Sequence, residues 1–85
     1  MTWRVTFSNK AIKETDRLNV ATRQRVLNTL QRFADTHHGD VKKLRGSEGE
    51  WRLRVGDWRV RFEVNRITQT IRVHSVRHRR EAYRD

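Results

Sequence analysis

The apolar positions of this chain change period along its length, and the changes mark out its elements. Trp3-Arg4-Val5-Thr6-Phe7 alternates, which predicts a strand turning Trp3, Val5 and Phe7 to one side. Ser8 follows as an N-cap, because its hydroxyl can accept from the first unpaired amides of a helix. Ala11, Ile12, Thr15 and Leu18 then recur at helical spacing and predict a helix over 9–18. Asn19 interrupts it and caps a second helix over 20–36, built on Val26, Leu27, Leu30, Phe33 and Ala34. Gly39 is positioned to end that helix. So short a link predicts a helical hairpin.

From Val41 onward the period is two. Strands are predicted over 41–44, 51–55, 58–64 and 71–76. Gly46-Ser47-Glu48-Gly49 is a turn or loop, and residues 65–70 turn again. Gly56-Asp57 is a two-residue hairpin turn of the Gly-first kind. The order β, α, α and then three or four strands predicts an α+β fold. Its sheet is small and antiparallel-rich, includes the N-terminal strand, and carries the two-helix hairpin on one face. No linker, repeat or low-complexity tract divides the 85 residues, so one domain over 1–85 is expected.

A two-residue turn fixes the register of its strands. With Gly56 and Asp57 at the tip, Val55 opposes Trp58, Arg54 opposes Arg59, Leu53 opposes Val60 and Arg52 opposes Arg61. Opposed residues share a face. Trp51, Leu53, Val55, Trp58, Val60 and Phe62 therefore point to the core, and Arg52, Arg54, Arg59 and Arg61 point away from it. Four guanidinium groups stand on Cβ atoms roughly 4.5–5.5 Å apart, an arrangement that destabilises a sheet unless something neutralises it. Glu63 is the one acid on that face within 51–55 and 58–64. Phosphate oxygens would neutralise it, and so would carboxylates from elsewhere in the chain. Arg72 and His74 share one side of the last strand and can extend the patch.

Composition agrees with an anionic partner. Twenty Lys and Arg face ten Asp and Glu, for a net charge of +10. Only Lys10, Lys13, Lys42 and Lys43 are lysines; the rest are arginine, the side chain that forks onto phosphate and stacks on bases. The absence of cysteine excludes disulfides and thiolate metal sites, and His37, His38, His74 and His78 lack metal-ligand spacing. No small-molecule cofactor is implied. No apolar run approaches the roughly 18 residues that span a membrane, and the first residues lack a secretory apolar core, so the cytoplasm is the expected compartment. At 34% apolar residues the core is thin. A small chain with a thin core gains from a bound partner, and this charge favours an acidic, partly disordered one.

After the last strand come Arg77-His78-Arg79-Arg80-Glu81-Ala82-Tyr83-Arg84-Asp85. Lys43-Leu44-Arg45-Gly46, Trp51-Arg52-Leu53-Arg54-Val55-Gly56-Asp57-Trp58-Arg59-Val60 and His78-Arg79-Arg80-Glu81-Ala82-Tyr83-Arg84 together resemble the RelE branch of the RelE/ParE toxins. The pieces are short, but their order, spacing and chain length cover essentially the whole sequence. The resemblance implies a microbial-ribonuclease-like sheet with two packed helices. It implies a type II toxin–antitoxin toxin: a metal-independent, ribosome-dependent endoribonuclease that cuts mRNA in the decoding site. A small acidic RelB-like antitoxin would be its partner, beside mRNA and the ribosome.

Residue by residue, Arg52 and Arg54 match the two basic positions of the first hairpin strand, and Arg59 the arginine after the aromatic of the next. Arg79 matches the tail arginine, Tyr83 the tail tyrosine, and His78 a basic tail position. Arg61, Arg72, His74, His78 and Arg80 are candidate RNA contacts. The sequence departs from the best-studied pattern in carrying Arg52 and Arg54 where that pattern has lysines, and in its shorter tail. Arginine holds its proton, so 52 and 54 are expected to stabilise charge, as is Arg59. Tyr83 is the expected base, with Arg79 or His78 assisting the leaving group. The sequence offers no evident His pair or Glu–His pair, which implies a poor stand-alone nuclease that relies on the ribosome for alignment. Two other classes remain: a ParE-like, non-catalytic inhibitor of DNA gyrase, and a non-enzymatic basic RNA-binding module.

Overall fold

A computed structural model describes residues 2–44 and 49–82. Tyr83, Arg45 and Gly46 lie outside the described residues. The chain runs β1 (Arg4–Phe7), α1 (Asn9–Asp16), α2 (Val20–Thr36), β2 (Val41–Lys43), β3 (Glu50–Val55), β4 (Trp58–Asn65), β5 (Thr70–His78) and α3 (Arg79–Ala82). The expected α+β order is present. Both helix caps form as their chemistry predicts. The Ser8 hydroxyl accepts from the Ala11 amide at 3.1 Å, and the Asn19 side chain accepts from the Thr22 amide at 2.8 Å.

The end of α2 differs from expectation. His37, two residues before Gly39, takes the left-handed cap at φ 60, and its amide donates to the Phe33 carbonyl at 2.7 Å. A side chain in that region is costly. Here the imidazole lies edge-on to Trp3, with ring centroids 5.0 Å apart, a contact that offsets part of the cost. Gly39 serves a different need: a Cβ there would sit 3.1 Å from Cδ1 of Leu53, so the glycine lets the chain pass close over β3.

The five strands form one sheet in the order β1-β5-β4-β3-β2, with β1 parallel to β5 and every other pair antiparallel. Val26, Leu30 and Ala34 of α2 bury with Leu53, Val55, Val60, Phe62, Ile71, Val73 and Val76 of the sheet. Phe33 adds its ring to Phe62, centroids 5.3 Å apart. Trp3, Trp51 and Trp58 are half-buried at the margin of this core.

β5 breaks its own alternation. Phe62 pairs with Val73 but Arg61 pairs with Ser75, so His74 is the extra residue of a β-bulge. Past the bulge the faces exchange parity: Val76 enters the core, whereas Ser75 and Arg77 join the opposite face. β1 ends at Phe7, opposite Val73, and leaves the rest of that β5 edge uncovered by a strand. α1 covers it. The Glu14 carboxylate accepts from the Val76 amide at 3.0 Å and from Arg77 Nε at 3.1 Å, so the edge amide is satisfied by a side chain.

Candidate nucleic-acid interface

The sheet face away from α2 carries its charges in ranks. The β3–β4 register matches the one the turn dictates, with Arg54 opposite Arg59 and Arg52 opposite Arg61. Gly56 holds φ +59, as a Gly-first turn requires. Pairing then extends the block on both sides. The first rank is Arg54, Arg59 and Arg77. The second is Lys42, Arg52, Arg61 and Ser75. The third is Glu50, Glu63, Arg72 and Thr6. Across the face the charge therefore runs from basic, at the tail end, to mixed.

More carboxylates reach this face than the strand sequences alone suggest. Arg54 lies 3.4 Å from Asp40, Arg61 3.3 Å from Glu50 and Arg77 3.1 Å from Glu14. Glu50 is the first residue of β3, Asp40 precedes β2 and Glu14 arrives from α1. Only three-dimensional proximity brings the last two to the arginines, which is why Glu63 stands alone when one hairpin is considered. The exposed Arg54–Asp40 pair is worth about 0–1 kcal/mol, so it orients the guanidinium without committing it, whereas Arg77–Glu14 is largely buried. Arg54, at 64% side-chain exposure, can trade a carboxylate for a phosphate.

Arg59 is the exception, being buried. Its Nη1 donates to the Gly56 carbonyl at 2.9 Å and to the Trp58 carbonyl at 3.0 Å. The guanidinium straps its own turn and is held in place at the middle of the first rank. Arg79 comes to the same turn. Its amide donates to the Asp57 carbonyl at 2.7 Å, and its Nε lies 3.8 Å from the Asp57 carboxylate. Arg25 of α2 approaches from the other side, since a Cβ on Gly56 would meet its Nη1 at 2.8 Å. Arg54, Arg59 and Arg79 are thus gathered around Gly56-Asp57.

His78 belongs to β5 and does not follow it, contrary to the expected strand end at 76. It opposes Trp58, and its ring stands edge-on to the indole with centroids 5.4 Å apart. Its Nδ1 accepts from the Arg80 amide at 3.3 Å. The Arg80 side chain is exposed on α3. Arg72 and His74 lie at the opposite end of the face from the tail. There His74 Nε2 is 3.3 Å from the Glu63 carboxylate, a Glu–His pair that the linear sequence conceals. Arg77 was hidden for the same reason: simple alternation from Ile71 and Val73 turns it to the core, and the bulge turns it out. Among the described residues, no three His, Asp or Glu side chains cluster as metal ligands.

The family model of the ParE toxins of type II toxin–antitoxin systems matches residues 5–83. Among curated proteins there is no significant sequence match. The chain is similar to the archaeal RelE–RelB complex from Pyrococcus horikoshii OT3 at 28% identity, covering 93% of this chain and 97% of that one with a TM-score of 0.79. It is similar to the RelB–RelE antitoxin–toxin complex from Methanococcus jannaschii at 25% identity, covering 93% and 95% with a TM-score of 0.76. The isolated RelE toxin of E. coli shares the fold at 20% identity, covering 96% of each chain with a TM-score of 0.78.

Proposed function

The chain belongs to the RelE/ParE toxins of type II toxin–antitoxin systems, and from that premise we propose that it is a ribosome-dependent endoribonuclease that cuts mRNA in the decoding site and stops translation. The observation that carries the reading is the arginine rank with Arg59 locked at its centre.

Metal-independent cleavage of RNA asks for three things: a deprotonated 2′-hydroxyl, a stabilised phosphorane-like charge and a protonated 5′-oxygen. Arg52, Arg54 and Arg59 supply the second, joined by Arg79 at the turn. Arginine keeps its charge throughout, and preorganised cations need no rearrangement as negative charge develops. Tyr83 is the proposed base. Arg61, Arg72 and Arg80 extend the cationic track along which the RNA backbone runs, whereas His78, opposite the core-facing Trp58, lies off that face. The message enters already oriented by the ribosome, which supplies alignment that this open face lacks.

The proposed partner is a small acidic antitoxin. Two lines support it: the archaeal relatives are toxin–antitoxin complexes, and the net charge here is +10. A ParE-like inhibitor of DNA gyrase would act by binding and would have no need of opposed arginines matched rank to rank.

Primer extension on a ribosome-bound message, run beside a gyrase supercoiling assay, tests the reading. New cut ends in the message with supercoiling unaffected are expected. Inhibited supercoiling with an intact message would overturn it in favour of gyrase. RNA binding that weakens steeply with salt and leaves no cut ends would overturn it in favour of a basic binding module.

A further inference from the structure

We propose that Lys10, Lys13 and Arg17, carried by α1 and its C-cap, form a second RNA-binding element that takes the cationic face past the β5 edge and holds the phosphate chain of a bound RNA; the assignment rests on the endoribonuclease reading above. Three observations carry it. First, helical spacing puts the three side chains together. At 3.6 residues per turn they fall within an arc of roughly 60°, and Lys10 and Arg17 stand roughly 10 Å apart along the axis. All three are exposed. Second, the packing of α1 turns that arc toward the charged face. Ala11 and Thr15 bury on the core side of the helix. Glu14 comes next around it and meets the β5 edge, accepting from the Val76 amide at 3.0 Å and from Arg77 Nε at 3.1 Å. Arg77 stands on the charged face, so the arc beyond Glu14 lies on that side of the edge. Third, none of the three cations is ion-paired among the described residues. Glu14, the carboxylate bordering them, is taken up by Arg77, and Asp16, one turn from Lys13, makes no ion pair with it.

The position of α1 along β5 is fixed as well. The Ser8 amide donates to the Val73 carbonyl at 2.9 Å and the Ser8 hydroxyl to the His74 carbonyl at 3.1 Å, whereas Glu14 reaches Val76 and Arg77. The helix therefore runs beside the ranks, with Lys10 nearer the second and Arg17 nearer the first. Ser75, the β5 member of the second rank, places no carboxylate between Arg61 and α1.

The distribution of lysine points the same way. Of the four lysines, Lys10 and Lys13 lie on α1 and Lys42 and Lys43 on β2, the elements that flank the arginine ranks on either side. Arginine forks onto phosphate in a fixed geometry, whereas lysine is a hydrated point charge on a flexible stem. Arginine at the centre and lysine at the margins suit an RNA held rigidly where it reacts and loosely where it enters and leaves.

The slope of log affinity against log salt counts phosphate contacts, at about 0.7 per contact on a single strand. It is measured for the unmodified protein, for the triple variant Lys10→Gln/Lys13→Gln/Arg17→Gln and for each single substitution. One arm uses a 2′-O-methyl single-stranded RNA that cannot be cut, standing for message, and the other uses ribosomes without message. Arg32→Gln/Arg66→Gln removes two exposed charges elsewhere and controls for net charge. In at least one arm the triple variant should lose about 2 from the slope and each single variant about 0.7, with little loss in the control. Loss on the oligonucleotide assigns α1 to message, and loss on ribosomes alone assigns it to ribosomal RNA. A loss per charge no greater than the control's in both arms overturns the proposal. Primer extension with the unmodified protein separates this result from its premise. An intact message removes the ribonuclease reading, whereas full cutting with unchanged slopes removes only the role of α1. A melting curve on each variant identifies any loss that comes from misfolding, and the single substitutions remain readable if the triple variant misfolds.

Discussion

Arg59 shows how one residue can be both structural and functional. Its guanidinium ties down the turn that sets the hairpin register, and that register puts the same guanidinium beside Arg54 and Arg77. Gly56 is the other half of the device. Its φ of +59 disfavours any side chain, and a Cβ would come within 2.8 Å of the Arg25 guanidinium. Gly56→Ala is expected to destabilise the protein by about 1–2 kcal/mol from the left-handed backbone alone, with Arg25 displaced in addition. A urea titration checks this, and an unchanged midpoint would contradict it. At this scale much was legible. A two-residue turn leaves the register no freedom, so Arg52, Arg54, Arg59 and Arg61 could be grouped from the sequence. His74–Glu63 and Arg77 could not. A bulge is a property of how two strands pair, and nothing in Val73-His74-Ser75-Val76 announces which residue will be the extra one.

At the scale of elements, α1 does more than bury Ala11 and Thr15. Glu14 closes the β5 edge that β1 leaves uncovered, and it fixes Arg77 in the first rank. Both groups are largely buried, with side-chain exposures of 17% for Glu14 and 20% for Arg77. Glu14→Ala removes an acceptor from an amide and a guanidinium at once and should cost about 1–3 kcal/mol. Glu14→Gln keeps an acceptor for the amide and should cost less. Denaturant melts of the two variants give the order, and an equal loss would contradict the edge-capping role. The caps at Ser8 and Asn19 were legible because capping is local chemistry. The stop at His37 was not, because its left-handed backbone is supported by Trp3, thirty-four residues earlier in the chain.

Across the whole molecule, the sheet divides two tasks between its faces. One face buries the apolar residues under α2, and the other carries the charge. The division follows from period-two patterning and was open to sequence reasoning. The partner of β1 was not: its parallel pairing with β5 joins the two ends of the chain, and no local pattern specifies that contact. Nor could a hairpin considered alone reveal Asp40 and Glu14, which orient the arginines from other elements. The arginines are neither a bare block of repelling charge nor a fully neutralised surface. Arg54 is oriented by an exposed carboxylate that a phosphate can replace, and Arg77 is held by the largely buried Glu14.

That account rests on the first two ranks acting on RNA, and one measurement bears on it most directly: primer extension on a ribosome-bound message with Arg54→Ala, Arg59→Ala and Arg52→Ala compared against the unmodified protein. Loss of about 100-fold or more in cutting rate is expected for Arg59→Ala, as for removal of a preorganised charge stabiliser, with losses also at Arg52 and Arg54. Undiminished cutting by all three folded variants would contradict it.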